Sequence, residues 1–302
     1  MSARHAFEAL LVRAIVAGAR GMSWRRSLGL GAALGEGAWR LGIRRRVVEA
    51  NLAGVVPGWG EAERRRIARG HYRELGRVAI EYPRLAELAH APLGDVLREV
   101  RGLEHLELAR RKGRGAILLT GHYGNFELAG AFLGQRHPVD FVTRALSNPR
   151  VDGWVARERA RAGIGSISAE AGIRRVFESL KENRMVAMVA DQDARRHGVF
   201  VPFLGRAAST AVGPARIALA SGAAVIMGFM WRGADGRHDL EVEPALDVPE
   251  PRAPDAVVRL TALHAQRLEC RIRLRPEHWF WLHRRWKTRP AGDAGEIARP
   301  GA

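Results

Sequence analysis

From about residue 96 onward, short apolar runs alternate with longer stretches whose apolar residues recur every three to four positions. The short runs are rich in β-branched residues and have the length of strands, whereas the longer stretches have the length of helices. The runs predicted as strands are 96–100, 116–120, 139–143, 185–190, 224–231 and 239–242. The predicted helices are 103–111, 126–133, 149–162, 173–183, 212–221 and 255–271. Strands separated by helices of this length indicate an α/β fold, with a largely parallel or mixed central sheet flanked by helices.

The first third of the chain has only helical periodicity. Over 5–20 the apolar residues fall at helical spacing, while Arg13 and Arg20 lie on another face. Such a helix lies either in a membrane interface, with its arginines near lipid phosphates, or on the protein's own core. Periodicity alone does not choose between these two positions.

Helical periodicity continues over 27–40, 47–52 and 61–88, and the last stretch is expected to break before Pro83 because proline disrupts a helix interior. Three regions follow from the change of pattern. We expect a helical, membrane-associating region over 1–90, an α/β domain over 91–290 and a flexible tail over 291–302.

No segment of the sequence combines the length and apolarity of a transmembrane helix. The longest stretch without Asp, Glu, Lys or Arg covers 15 residues, from Ile217 to Trp231, and a spanning helix needs about 20 apolar residues. We also expect no secretory signal, because Arg13 and Arg20 interrupt the apolar part of the N-terminus. The single cysteine, Cys270, excludes an internal disulfide and a thiolate zinc site.

The composition is strongly basic, with 49 Lys and Arg against 32 Asp and Glu and a formal net charge of +17. Lys112, Lys181 and Lys287 are the only lysines, so the other 46 basic residues are arginines. Arginine pairs bidentately with phosphates and carboxylates, so the charge favours an anionic partner: nucleic acid, an anionic membrane surface or a phosphorylated substrate. A genome rich in G and C would produce the same arginine bias, and charge alone leaves the partner open.

The segment that follows the second predicted strand has the layout of a catalytic loop. Gly121 permits a tight turn, His122 falls in the loop, and Asn125 can cap a helix whose first turn contains Glu127. A bend at this point could let the carboxylate hold one imidazole nitrogen while the other faces a substrate, as in general base catalysis. The N-terminus of the helix would add partial positive charge for an oxyanion. From these residues alone, a surface histidine beside a glutamate remains the alternative.

Four blocks in order carry a resemblance to a known family. His122-Tyr-Gly-Asn-Phe-Glu127 resembles the His-x4-Asp/Glu signature of glycerolipid acyltransferases, and its full sequence is similar to the branch that acylates lipid A, the late acyltransferases of lipopolysaccharide synthesis. Segments 47–52, 191–205 with Thr210, and 276–287 fit the same branch. The resemblance extends over roughly residues 5–290.

The resemblance implies a membrane-associated O-acyltransferase that moves a fatty acyl chain from an acyl carrier protein, or from coenzyme A, to a hydroxyl of a lipid A precursor or related glycolipid. His122 would be the general base, and Glu127 would orient it and stabilise its charge. The reaction would need no covalent acyl-enzyme, cofactor or metal ion. The substrate-binding residues implied around this dyad are Asn125, Arg144, Asp191, Gln192, Arg284 and Arg285.

The apolar loop at 199–204 is open to two interpretations. Val199, Phe200 and Phe203 either line an acyl groove or merely pack on the sheet, and the sequence favours neither. A groove would set the length of the acyl chain that the enzyme accepts.

The resemblance further implies a place at the cytoplasmic face of the bacterial inner membrane. Attachment is expected to be peripheral or shallow, because charged residues interrupt N-terminal stretches that form a clearer anchor in proteobacterial members. Relatives with the same blocks acylate other glycolipids, including phosphatidylinositol mannosides, which leaves the acceptor open. The alternative of another class is a basic nucleic-acid-binding protein; the sequence lacks an aromatic strand motif or helix-turn-helix pattern, so we expect no nucleic-acid partner. A catalytically inactive lipid-binding scaffold is a third possibility.

Overall fold

A computed structural model describes residues 3–55, 58–170 and 172–291. Its strands are β1 (Leu97–Arg101), β2 (Ala116–Thr120), β3 (Val139–Thr143), β4 (Ile164–Ser168), β5 (Met185–Val189), β6 (Gly198–Phe203), β7 (Arg206–Ala211), β8 (Ala224–Arg232) and β9 (His238–Ala245).

The helices are α1 (Ala3–Arg20), α2 (Trp24–Arg40), α3 (Arg45–Val55), α4 (Glu61–Glu81), α5 (Leu85–His90), α6 (Leu103–Arg110), α7 (Phe126–Gly134), α8 (Pro149–Arg161), α9 (Ile173–Lys181), α10 (Gly213–Ser221) and α11 (Ala256–Leu274). Short 3-10 turns cover Tyr82–Arg84, Arg195–His197 and Pro276–His278.

One seven-stranded sheet, in the order β1-β9-β8-β2-β5-β3-β4, forms the centre of the molecule. Strands β8, β2, β5, β3 and β4 are parallel to one another. Strand β9 is antiparallel to β8 and parallel to β1. The predicted α/β fold with a mostly parallel sheet is therefore confirmed, and the carboxyl ends of β2, β5 and β3 meet at one edge.

Three strands, β4, β6 and β7, were not expected. Strand β4 contains Gly165 and two serines, which weakened its strand signal. The apolar segment expected to be a loop at 199–204 belongs instead mostly to β6, which pairs antiparallel with β7 in a separate two-stranded sheet. Of the predicted tail at 291–302, only residue 291 lies within the described residues.

The long helix at 61–88 breaks where expected. Helix α4 ends at Glu81, a 3-10 turn holds Pro83, and α5 follows. Helices α2 and α4 pack in backbone contact: a Cβ atom at Gly35 would lie 1.9 Å from the carbonyl oxygen of Tyr72, and one at Gly76 would lie 2.0 Å from that of Gly31. Glycine at these positions lets α2 and α4 approach each other closely.

The N-terminal helices pack on the rest of the protein. Trp39, Val48 and Tyr72 share one apolar cluster with residues of the central sheet. Arg20 at the end of α1 donates to the carbonyl of Pro83 at 2.9 Å and pairs with Glu158 at 3.2 Å, so its guanidinium is bonded to the protein although the side chain is half exposed. Within the described residues, no helix has both the length and the apolarity to cross a membrane.

Candidate active site

The loop after β2 is shaped by two glycines that no other residue could replace without a clash. A Cβ atom at Gly121 would lie 2.6 Å from the side chain of Leu268. Gly124 has a φ of +53°, and a Cβ atom there would lie 1.7 Å from the carbonyl oxygen of Met230. The chain therefore turns sharply at the sheet edge, and His122 lies inside the turn.

A segment from the far end of the chain holds this turn. The Phe280 amide donates to the His122 carbonyl at 3.0 Å, and the Gly124 amide donates to the His278 carbonyl at 2.8 Å. Tyr123 and Trp279 form an antiparallel bridge between these two bonds. These backbone bonds hold the main chain of His122 on both sides, independently of the contacts that its side chain makes.

Asp191, which follows β5, is the hydrogen-bond partner of the His122 imidazole. Its Oδ1 lies 2.7 Å from Nδ1 of His122. Its Oδ2 accepts from the His122 backbone amide and from Nε1 of Trp279, both at 2.8 Å. Because β5 neighbours β2 in the sheet, both side chains leave adjacent strand ends. The ring is held by Nδ1, and Nε2 lies 3.5 Å from the amide nitrogen of Gln192.

The pair is electrostatically coupled. Burial alone would lower the pKa of His122, but the charge and hydrogen bond of Asp191 raise it above its usual value. Burial alone would raise the pKa of Asp191, but the charge and hydrogen bond of His122 and the Trp279 donor bring it down to about 2. The carboxylate therefore stays ionised and favours a positive charge on the imidazole, which suits a proton acceptor.

The prediction that Glu127 orients His122 by direct contact is wrong. Oε2 of Glu127 lies 3.0 Å from Nε of Arg159, and a second bond joins Oε1 to the same guanidinium. The first turn of α7 directs this carboxylate toward α8 and away from the imidazole. Its charge still contributes to the raised pKa of His122, as the smallest of the causes.

Asn125 caps α7 as predicted. Its Oδ1 accepts from the Leu128 amide at 3.0 Å, and its Nδ2 donates to Glu81 at 2.8 Å. Glu81 is itself bonded to Arg232 and His238 in a buried network. Because both ends of the Asn125 amide are used inside the protein, the prediction that it binds substrate is not supported, and it positions the loop instead.

The predicted arginines separate into two groups. Arg285 is buried, donates to the Ser209 carbonyl and to Thr210, and burial lowers its pKa to about 10. The prediction that Arg285 meets substrate is therefore wrong, and it ties the C-terminal segment to β7. Arg144 follows β3 and is exposed, as is Arg284. Both guanidinium groups are available at the surface.

A cavity of about 150 Å³ opens beside His122. Its apolar walls are Leu75, Val78, Phe126 and Phe280, and its polar wall comes from His71, Glu74, Glu277 and His278. The rings of Phe126 and Phe280 lie 5.4 and 5.8 Å from the imidazole centre. Burial lowers the pKa of His71 to about 4, so this side chain is neutral near pH 7.

The predicted acyl groove at 199–203 does not line this cavity. Phe203 is buried against Trp279 and Trp286, with ring centres 5.5 and 6.1 Å apart, Phe200 is exposed, and Val199 packs against the core. Of the two interpretations of this segment, packing on the protein's own core describes Val199 and Phe203. The cavity walls come mainly from α4 and from residues 277–280. The second of these lies in the block at 276–287 that carried the family resemblance, whereas nothing in the sequence indicated that α4 lines the site.

Within the ranges that the structure covers, no group of three or more His, Cys, Asp or Glu side chains could hold a metal ion. Nor does a serine or cysteine in those ranges hydrogen-bond to His122, whose partners are Asp191 and Gln192. A histidine held by a carboxylate at one nitrogen and bordering a largely apolar cavity is an arrangement that suits activation of a hydroxyl supplied by a substrate.

Comparison with known proteins specifies the class. The chain belongs to the bacterial lipid A biosynthesis acyltransferase family, whose model matches residues 4–288. It is 33% identical over 217 residues to a phosphatidylinositol mannoside acyltransferase of Mycobacterium tuberculosis, covering 70% of this chain and 67% of the relative. It is 30% identical over 270 residues to the lipid A biosynthesis lauroyltransferase of Escherichia coli, covering 87% and 86%. The protein is an acyltransferase, as the sequence predicted.

Proposed function

We propose that the protein transfers a fatty acyl chain from the thioester of an acyl carrier protein, or of coenzyme A, to a hydroxyl of a phosphorylated glycolipid at a membrane surface. The observation that carries this proposal is the His122 imidazole, held at Nδ1 by Asp191 and lining a largely apolar cavity. The relatives support the substrate class, since their names specify lipid A and phosphatidylinositol mannoside acyl transfer.

The reaction proposed at this site proceeds without a covalent enzyme intermediate. Nε2 of His122 takes the proton of the acceptor hydroxyl as its oxygen attacks the thioester carbonyl carbon. Asp191 stabilises the imidazolium that forms. When the tetrahedral intermediate collapses, the carbon–sulfur bond breaks and the imidazolium returns its proton to the departing thiolate. The products are an ester, a free thiol and neutral His122.

The N-terminus of α7 is proposed to stabilise the oxyanion. The helix begins at Phe126, four positions after His122, and its first N–H groups carry partial positive charge. Asn125 accepts from Leu128 and so fixes the first turn. A shift of this turn would move both the histidine and the oxyanion donors.

The cavity is proposed to receive the part of the acyl chain nearest the thioester. Its volume of about 150 Å³ corresponds to about five water molecules, which suits a short length of chain. The apolar walls exclude water from the thioester, which would otherwise compete with the acceptor hydroxyl.

Arg144 and Arg284 are proposed to bind phosphate on the acceptor. Arg144 follows β3, which is separated from β2 by β5 alone, so its Cα lies about 10 Å across the sheet edge from that of His122. A flexible guanidinium at this distance reaches a phosphate on the sugar being acylated. Gln192, beside Nε2 of His122, is proposed to hold the acceptor hydroxyl.

The protein is proposed to work at the cytoplasmic face of the bacterial inner membrane, as a peripheral protein. Its net charge of +17 supports this location, since each arginine close to an anionic leaflet contributes about 1 kcal/mol to binding.

The test uses purified protein in detergent micelles with acyl carrier protein and coenzyme A thioesters as donors. A lipid A precursor and a phosphatidylinositol mannoside serve as acceptors, and mass spectrometry detects the product. We expect ester formation with one acceptor class and its loss in His122→Ala, with the fold intact by circular dichroism. His90→Ala, an exposed histidine on α5, is the matched control. Transfer by His122→Ala at the wild-type rate would overturn the mechanism.

A further inference from the structure

The connection between α2 and α3 combines exposed aliphatic side chains with unbalanced positive charge. Residues 40–46, here called the basic turn, read Arg-Leu-Gly-Ile-Arg-Arg-Arg and contain four arginines and no acidic residue. Leu41 is 80% exposed, more than any other large apolar side chain within the described ranges, and Ile43 is 51% exposed. Aliphatic side chains so exposed and flanked by cations are typical of surfaces that enter a membrane interface.

The backbone of the basic turn is fixed even though its apolar side chains are largely exposed. The Tyr72 hydroxyl donates to the Ile43 carbonyl, and Nε of Arg44 donates to the Leu282 carbonyl at 2.9 Å. Arg45 lies 4.1 Å above the Trp39 ring. These contacts fix the backbone that carries Leu41 and Ile43, so the exposure of the two side chains follows from the fold.

Two carboxylates form ion pairs with arginines of the basic turn, but together they do not cancel its positive charge. Glu36 pairs with Arg40 at 3.4 Å and also with Arg69 at 2.5 Å, and Glu49 pairs with Arg45 at 2.8 Å. The Arg46 guanidinium is exposed and forms no ion pair or hydrogen bond with any residue that the structure describes. A net positive charge remains beside the two aliphatic side chains.

The basic turn and the opening to His122 are supported by one segment, 280–283. Arg44 bonds the carbonyl of Leu282, and Asn51 on α3 donates to the carbonyls of Trp281 and His283 at 2.8 and 2.7 Å. At the other end of this segment, the Phe280 ring contacts the His122 imidazole, with ring centres 5.8 Å apart. A surface bound through the basic turn therefore lies at the end of the molecule where the reaction takes place.

We propose that the basic turn is the element that holds this protein on an anionic phospholipid bilayer. Leu41 and Ile43 enter the acyl region, while Arg40 and Arg46 extend to lipid phosphates at the level of the headgroups. Helix α1 is less suited to this role, since Arg20 is bonded to Pro83 and Glu158. The inference rests on the proposed function only in that the acceptor is a membrane lipid.

The test measures flotation of the full chain with vesicles of 30% phosphatidylglycerol and 70% phosphatidylcholine. Leu41→Ser with Ile43→Ser is expected to weaken binding about tenfold or more, and Arg46→Gln about fivefold. The aliphatic control is Leu93→Ser with Leu108→Ser, at positions 64% and 57% exposed. The charge control is Arg111→Gln, which precedes β2 and so lies at the opposite edge of the sheet from His122. Both controls are expected to bind as wild type.

Unchanged flotation of the turn variants, or equal losses in the controls, would overturn the inference. So would turn variants that float normally but lose activity only with the carrier-protein donor, since that result would assign the turn to an acidic protein. The rate of acyl transfer to an acceptor in detergent micelles distinguishes failure of this inference from failure of the proposed function, because it does not require binding to a bilayer. We expect this rate to remain within about twofold of wild type in the turn variants. Absence of transfer by the wild type together with normal flotation would instead refute the acyltransferase mechanism alone.

Discussion

Replacing Asp191 by asparagine tests the central pair of the site with almost no change in shape. In the native protein, Oδ2 of Asp191 accepts from the His122 amide and from Trp279, while Oδ1 faces Nδ1 of His122. An asparagine keeps the first two bonds only by placing its oxygen at the Oδ2 position. Its NH₂ group then faces Nδ1, which must become an acceptor, and the proton moves to Nε2. A histidine in this tautomer cannot take the hydroxyl proton.

The magnitude follows from the coupling within the pair. Lowering the carboxyl pKa from 3.8 to about 2 corresponds to roughly 2.5 kcal/mol of stabilisation of the ionised pair. Burial works in the opposite direction, whereas the Trp279 and backbone donors add to the lowering, so the attraction between the two side chains is of the same order. Loss of this attraction from a transition state with imidazolium character slows the reaction by roughly 60-fold.

The assay is the initial rate of acyl transfer from saturating donor between pH 6 and 9, with wild type, Asp191→Asn, His122→Ala and the double variant. We expect the double variant to be no slower than His122→Ala, since both residues act through one imidazole. Asp193→Asn makes the same chemical change two positions away and should leave the rate unchanged. An Asp191→Asn rate within threefold of wild type across this pH range would refute the role assigned to Asp191.

Three further predictions concern stability. Glu127→Gln leaves the partly buried guanidinium of Arg159 without its carboxylate, and the free energy of unfolding in urea should fall by about 2 kcal/mol. A change below about 1 kcal/mol would contradict a stabilising ion pair at this position. Asn125→Ala removes the cap of α7 and the donor to Glu81, and we expect the free energy of unfolding to fall by about 2 kcal/mol. The control variant Asn125→Asp retains the cap but not the donor to Glu81. Burial and the charge of Arg285 lower the pKa of His264 from 6.5 to about 4, so the unfolded chain takes up a proton there that the folded chain does not. Stability contributed by neutral His264 is thus complete above pH 6.5 and lost as the pH falls to 4, about 3 kcal/mol in all. His264→Leu should unfold with a correspondingly smaller difference between pH 7 and pH 4, and an unchanged difference would count against this assignment.

The sequence predicted most of the central sheet because its buried strands carry a strong local signal. Strands β2 and β3 lie at 116–120 and 139–143 as expected, since each is a compact apolar run beside a turn. Strand β4 was missed because Gly165 and two serines dilute its pattern, although pairing with β3 stabilises it. Local patterns decide the first kind of strand, and tertiary pairing decides the second.

The sequence predicted the histidine of the candidate site but not the hydrogen-bond partner of that histidine. His122 and Glu127 are close in sequence, which favoured them as a pair, whereas Asp191 is 69 residues away. The available signal was that both His122 and Asp191 follow predicted parallel strands, whose carboxyl ends meet at one edge. Nothing in the sequence specifies that β5 is the neighbour of β2, and this adjacency selects Asp191. The burial of Arg285 is likewise a product of packing, since the sequence places it beside exposed Arg284 in one basic run.

The C-terminal segment at 278–280, which holds the turn at His122, determines when during synthesis the site becomes complete. Trp279, which bonds Asp191, is 88 residues later in the chain, and Phe280 is later still. At typical rates of synthesis, about 5 to 20 residues per second, this separation corresponds to roughly 4 to 18 seconds. During that interval the sheet strands can pair, but His122 lacks its contact with the Phe280 ring and Asp191 lacks its Trp279 donor. A nascent chain is therefore expected to fold much of its sheet before it can catalyse, and acyl transfer begins only after the last tryptophans have joined the core.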